Sequence, residues 1–308
     1  MRWTVGAEDA KKRLDHFLVA KFPGESRTSV QKKIKQGLVK VGGQEVSVHH
    51  FLREGDEIEV TEEKKKTKAV LKKSKKSPPL DIIFEDSELL VINKPAGLIV
   101  HEAPGENGPT LADSLLAHCP KLKKVGEDPL RPGMVHRLDK DVSGVILVAK
   151  TQKVFDFLKG LFKERTIRKE YLGLVYGSLP LPADRITFKL ARSERRARMA
   201  ARPEGQEGRE AITEYEVIKR YGNSTFVKIL IETGRTHQIR AHFHAYGHPI
   251  VGDPLYKIRG LKIRPELTRP FLHAAKISFT DWNGDQREFS SPLPKMLEEY
   301  LAKLKTAF

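Results

Sequence analysis

Apolar positions along this 308-residue chain recur with two periods, and the switches between them mark out its elements. Leu14, Phe17, Leu18 and Phe22 fall at helical spacing and predict an amphipathic helix that Pro23-Gly24 ends. Ser26-Arg27-Thr28-Ser29 offers capping residues for a second helix carrying Val30 and Ile34, with Gly37 placed to end it. Period two then takes over. Val39 and Val41, a Gly42-Gly43 turn, and Gln44, Val46 and Val48 predict a hairpin, and Gly55-Asp56 precedes a further strand at 57–60.

Beyond residue 80 the strands grow longer and more apolar. Ile82 to Phe84, an acidic turn at Glu85-Asp86-Ser87, and Leu89 to Asn93 predict two strands, the second broken by Lys94-Pro95-Ala96-Gly97. A helix is expected over 110–116, a buried strand from Val142 to Ala149, and an amphipathic helix over 152–164 with Val154, Phe157, Leu158 and Leu161 inward. Strands follow at 169–177, 211–217 and 223–234. Thr236 is placed to cap a helix running to Tyr246 with Gly247 beyond it, and a terminal helix is expected over 294–305. No fixed period repeats.

Composition adds domain boundaries. Residues 61–79, TEEKKKTKAVLKKSKKSPP, hold almost nothing that fills a core and read as a solvated basic linker. It separates a small domain, 1–60, from a larger one, 80–308. Hydrophobic residues at 39% and charged residues at 31% describe a soluble globular chain, with no apolar run near the roughly 20 residues of a membrane span. The N-terminus lacks the apolar core of a signal peptide. The single cysteine, Cys119, excludes a disulfide framework and a thiolate metal site. These features predict a cytoplasmic monomer. Lys and Arg number 56 against 40 Asp and Glu, a net charge of +16, and such an excess favours a polyanionic partner.

Candidate chemistry concentrates in three runs. GMVHRLDKDVSGVILVAKT, 133–151, sets Asp139 between His136-Arg137 and a buried strand, a position suited to a working carboxylate or to a plain ion pair with Arg137. IRKEYLGLVYG carries Tyr171 on a strand, where a tyrosine fills a sheet surface or stacks on a ligand. In IETGRTHQIRAHFHAYGHPIVGDPLY, 231–256, His237, Arg240 and His244 share one helix face and Ile239, Phe243 and Tyr246 another. The histidines His237, His242, His244 and His248 lack metal-ligand spacing, so no metal is expected.

HRLD followed by a short turn, SG and an apolar strand, together with INKPAGLIVH and TGRTHQIRxH, resembles the RluA family of RNA pseudouridine synthases. Val142 stands where that family usually carries Thr. RLDHFL, SRTSVQKKIKQGLVKV and REGDEIEV resemble the alpha-L RNA-binding domain, with Gly42 where Asn is common and His49-His50 before the last loop. The resemblance implies an α+β fold: a mixed, largely antiparallel sheet with flanking helices (the pseudouridine synthase fold) plus the small N-terminal domain. It implies isomerisation of uridine to pseudouridine in structured RNA, ribosomal large-subunit RNA before transfer RNA. Asp139 would act on a flipped-out base, Tyr171 pack on it and Arg240 pair with the carboxylate. RNA contacts would come from Arg27, Lys32 and Lys35 on the second helix, from Arg137, Arg235 and His237, and from Arg195, Arg196 and Arg198 in the basic stretch 192–202. No cofactor is implied, because isomerisation moves no net electrons. The alternative is a non-catalytic RNA-binding or ribosome-assembly protein, which loss of Asp139, Tyr171 or Arg240 would favour; all three are present.

Overall fold

The computed structural model describes residues 1–22, 27–35, 37–61, 77–102, 108–193, 198–203, 205–257 and 267–305, apart from the side chains of Thr28 and Lys32. Arg195, Arg196, the Lys32 side chain, the Pro23-Gly24 stop, the Ser26 cap and most of the lysine-rich linker lie outside the described residues. The chain divides into two compact units, 1–74 and 75–308.

In the first unit, β1 (Arg2–Thr4), α1 (Leu14–Lys21), α2 (Arg27–Lys35), β2 (Val39–Val41), β3 (Gln44–Glu45) and β4 (Glu57–Val60) follow one another. The strands form one antiparallel sheet in the order β1-β4-β2-β3. Its core joins Leu14, Phe17 and Leu18 of α1 to Val30 and Ile34 of α2 and to Val39, Val41, Ile58 and Val60. Gly42 (φ 57°) and Gly43 (φ 78°) supply the two left-handed residues that a two-residue hairpin needs. The second hairpin strand stops at Glu45, short of the expected Val48; Val46 and Val48 instead pack half-buried against the core. The Asp15 carboxylate, fully buried, accepts from Arg13, from Arg27 Nε at 3.0 Å and from Gln31 at 2.7 Å, tying the two helices together.

The second unit runs β5 (Ile82–Glu85), β6 (Leu89–Lys94), α3 (Leu111–His118), β7 (Ser143–Ala149), α4 (Gln152–Glu164), β8 (Arg168–Tyr176), β9 (Ala183–Ile186), β10 (Lys189–Arg192) and β11 (Met199–Arg202). It continues with β12 (Thr213–Tyr221), β13 (Ser224–Ile231), α5 (Gln238–Ala245), β14 (Leu272–Thr280), β15 (Gln286–Ser290) and α6 (Lys295–Ala302). Nine strands form one sheet in the order β5-β6-β7-β14-β8-β13-β12-β9, with β15 also on β14, and β10-β11 form a separate hairpin. Every pairing is antiparallel except β7 with β14.

Alternation along β7 sorts the core into two layers. Ile146 and Val148 join Leu111 and Leu115 of α3 and Ile239 and Phe243 of α5 on one face. Val145 and Leu147 join Val154, Phe155 and Leu158 of α4 on the other. The sheet is thus covered on both sides by helices, the α+β arrangement expected. Thr110 caps α3 in a reciprocal box with Asp113, and Thr151 caps α4.

In the second unit two departures from expectation bear on the site's surroundings. β12 begins at Thr213 and runs on to Tyr221 past a bulge between Val217 and Lys219; its outer half alternates toward solvent, which hides it from an apolar count. Thr236 does not cap α5. His237 occupies that position in a left-handed conformation (φ 54°, ψ 22°) without a side-chain cap. Among the described residues no helix is long and apolar enough to cross a membrane.

Candidate active site

Asp139 lies in the loop that feeds β7, and three sets of contacts hold that loop. Leu138 and Val142 bury their side chains on either side of it. The Asp139 carbonyl accepts from Val142 N–H at 3.1 Å. The Lys140 carbonyl accepts from Gly97 N–H and from the ammonium of Lys94, both at 2.9 Å. Lys94, fully buried at the end of β6, also donates to the Pro95 and Leu98 carbonyls at 2.7 and 2.8 Å, so one cation ties the Lys94–Leu98 turn to the Asp139 loop. Below the loop, Arg269 donates to Ser143 Oγ at 2.8 Å, and Ser143 meets His273 Nδ1 at 2.9 Å.

Arg240 projects from α5 toward the same carboxylate. Its Nη1 donates to Asp139 Oδ2 at 3.0 Å, while Nε and Nη2 donate to the two oxygens of Asp253 at 2.6 and 2.9 Å. Asp253 is itself fully buried and accepts from the Leu255 and Tyr256 amides. Burial works against the Arg240 charge, but the bonds and charges of Asp253 and Asp139 outweigh it and hold the guanidinium protonated well above its ordinary range. The Tyr256 ring lies 5.2 Å from the Arg240 guanidinium, and its hydroxyl holds Met199 N–H and C=O, both at 3.0 Å.

Tyr171 comes from the middle of β8, opposite Ala274 of β14 and Ile229 of β13. It is 8% exposed; burial first, and the nearby Asp139 charge second, raise its phenol well above the usual range and keep it protonated. A pocket of about 90 Å³ gathers Asp139, Val142, Tyr171, Ile231, Arg240 and Leu272, with Arg137, Arg235 and His237 along it. His237 Nε2 approaches Asp139 Oδ2 at 4.0 Å and its Nδ1 meets Tyr256 Oη at 3.2 Å. The described contacts of the Asp139 carboxylate all run through Oδ2. Gln238 shapes the turn before α5: it accepts from Thr233 Oγ1 and Arg235 N–H, and donates to the Ile212 carbonyl.

Six of the residues singled out in the sequence therefore converge: Asp139, Tyr171, Arg240, Arg137, Arg235 and His237. Arg198 stands apart, 5.0 Å over the Tyr256 ring with Nη1 on the Leu255 carbonyl at 2.9 Å, supporting the wall behind Arg240. Arg27 and Lys35 belong to the first unit, where Arg27 is paired with Asp15 and Lys35 is exposed. The histidines disperse: His242 bonds the Phe188 carbonyl, His244 that of Lys257 and His248 that of Tyr176. Lys94, Asp253 and Tyr256 are the residues that pattern reading missed. Asp253 and Tyr256 carried a signal, since Gly-Asp-Pro-Leu-Tyr closes the same run as Arg240.

The similarities of the chain give the class of protein, an enzyme that acts on RNA. The family model described as RNA pseudouridylate synthase matches residues 88–245, and an S4 domain model matches residues 12–58. An uncharacterized RNA pseudouridine synthase of Bacillus subtilis is 34% identical over 98% of this chain and 97% of its own length. Ribosomal large subunit pseudouridine synthase D of Neisseria meningitidis serogroup A is 35% identical over 98% of this chain and 81% of its own. Human RNA Pseudouridylate Synthase Domain Containing 1 shares the fold, with a TM-score of 0.58 at 24% identity over 74% of this chain and 97% of that one. The chain belongs to the RNA pseudouridine synthase family, in its RluA-type branch with an N-terminal S4 domain. It is accordingly an enzyme that isomerises uridine to pseudouridine in RNA.

Proposed function

We propose that this enzyme modifies a specific uridine of large-subunit ribosomal RNA, with Asp139 as its nucleophile. The target nucleotide leaves its stack and enters the pocket between Asp139 and Tyr171, at an unstacking cost of a few kcal/mol. Asp139 attacks through the oxygen that Arg240 does not hold and bonds to the nucleotide as the bond from sugar to ring nitrogen breaks; the uracil turns and rejoins the sugar through carbon, and the bond to Asp139 breaks and returns the carboxylate. The proton released at that carbon balances the one the freed ring nitrogen gains, so no electrons are exchanged and no cofactor is called for. Tyr171, protonated and buried, offers the base an apolar face. Arg240 holds one oxygen of the carboxylate and so aims the other at the nucleotide. The same reading makes the enzyme a cytoplasmic monomer.

The observation that carries this reading is the 3.0 Å contact from Arg240 to Asp139 at the mouth of a pocket that Tyr171 lines. The names of relatives such as the Neisseria enzyme support the ribosomal target. Asp139→Asn is expected to fold and bind RNA while forming no pseudouridine on large-subunit RNA from a strain lacking the gene. Isomerisation at the wild-type rate would remove Asp139 from this role. Mapping pseudouridine across the RNA of that strain tests the target, and an unchanged large-subunit map would refute it.

A further inference from the structure

Beside the Asp139 pocket lies a larger cavity of about 480 Å³, within the range of about 300–1,000 Å³ typical of ligand sites. The two share Arg137, Tyr171, Ile231, Gly234 and Arg235 in their linings, so they adjoin along that wall. Neither Asp139 nor Arg240 lines the larger one. Its chemistry is two-sided. Val100, Met134, Val135 and Phe162 give it an apolar surface. Against them stand Arg131, Arg137, Lys163, Arg165, Lys169 and Arg235, with Glu232 the only carboxylate among its described lining residues.

Lys169 is the lining cation most in want of an anion, the opposing charge of Glu232 notwithstanding. It is 7% exposed, its described hydrogen bond goes to the neutral carbonyl of Glu232 at 3.2 Å, and its ammonium sits 5.6 Å from the centre of the Phe162 ring. A buried ammonium without a carboxylate partner is unfavourable. Burial, and then the charge of Arg165, lower it to about 8, and a bound anion would reverse that. Arg131 keeps one edge on the exposed Asp128 carboxylate, 3.6 Å from its Nε, and is aimed by its Nη2, which donates to His101 Nε2 at 3.0 Å.

A free anion would satisfy the cations and ignore the apolar surface. An occupant that is anionic, partly planar and continuous with a uridine next door is a nucleotide of the same strand. We infer that this cavity binds the nucleotide adjoining the target uridine, with its phosphodiester on Lys169, Arg131 and Lys163 and its base or sugar against Phe162. The inference rests on the reading of the Asp139 pocket as the uridine's. The cavity would then help choose which uridine enters, because a strand unable to place its neighbour there binds less well.

The test uses the full chain, the double variant Arg131→Gln/Lys163→Gln, and a charge-matched control, Lys121→Gln/Lys123→Gln, on exposed positions outside both cavities. Large-subunit RNA from a strain lacking the gene is followed by filter binding and by pseudouridine formation. The cavity variant should raise the half-saturating RNA concentration about tenfold with kcat within twofold, and the control should change it less than twofold. In a short RNA spanning the mapped uridine, a neutral methylphosphonate at the adjoining linkage should weaken binding to the wild type by a similar factor. It should weaken binding to the cavity variant no further. Equal effects of the two variants, or additive losses from methylphosphonate and variant, would overturn the inference. Binding that follows the cavity variant while the wild type forms no pseudouridine would refute the Asp139 reading instead.

Discussion

One guanidinium at Arg240 answers to two carboxylates, and the two have different surroundings. Asp253 takes two of its N–H groups in full burial, whereas Asp139 takes one at the pocket mouth. Asp253 therefore fixes the arginine, and the arginine fixes Asp139. Removing one member of a buried pair strands the other charge, at about 3–5 kcal/mol. Asp253→Ala should lose stability of that order by urea unfolding and lose activity even where it stays folded; a variant as stable as wild type would show that Arg240 needs no anchor. The imidazoles give a second outcome at this scale. Burial lowers His136 to about 3 and His242 and His273 to about 4, and the bonds they make suit neutral rings: His136 Nε2 accepts from Leu147 N–H, and His273 bridges Ser143 and the Ser291 carbonyl. The unfolded chain binds these protons near pH 6.5 and the folded one does not, so the part of the stability that depends on these three rings is whole above about 6.5 and drains away as pH falls toward 4. Urea midpoints that stay flat between pH 7 and 4.5 would contradict this. Asp139, Tyr171 and Arg240 were legible because each sits in a run of specific residue types. The role of Lys94 was not, since its partners are main-chain carbonyls brought close only by the fold, and Asp253 showed only as part of the run that holds Arg240.

Most elements were visible as periodicity, and those that were not were hidden for different reasons. β14 has no counterpart in the pattern because neighbouring strands on both sides and helices on both faces bury it, and LHAA offers no alternation to read. β1 is too short and too polar to announce itself; its pairing with β4 is what makes it a strand, aided by Arg2 on Glu59 at 2.7 Å. Where β7 meets β14, Gly144 adopts φ 122°, and a Cβ there would come within 2.1 Å of the Ala274 carbonyl oxygen. Gly144→Ala should thus push apart the one parallel pair, costing about 3 kcal/mol or more through strain and lost packing. A lowered urea midpoint at unchanged slope is the expected reading; an unshifted midpoint would mean that the strands yield freely.

At the scale of the molecule, the two compact units divide between residues 74 and 75, within the lysine-rich stretch 61–79 that composition sets apart. How the units lie on RNA is a matter of charge, and sequence speaks only to its amount. Neutralised phosphates release counterions, so the logarithm of affinity falls with the logarithm of salt by about 0.9 per contact on duplex. Removing residues 1–79 should weaken binding to large-subunit RNA and flatten that slope by about one unit or more. An identical slope would mean that the N-terminal unit does not touch RNA.

The place of β14 in the sheet also sets an order of events. This strand, Leu272–Thr280, wedges between β7 and β8, elements synthesised more than a hundred residues earlier. During translation the S4 unit is free to fold while the ribosome is still reading the middle of the message. Until that strand emerges, however, the sheet stands open between β7 and β8, and the Asp139 pocket lacks Leu272 from its lining. A product cut short before β14 would therefore carry the S4 domain without the pocket that gathers Asp139, Tyr171 and Arg240.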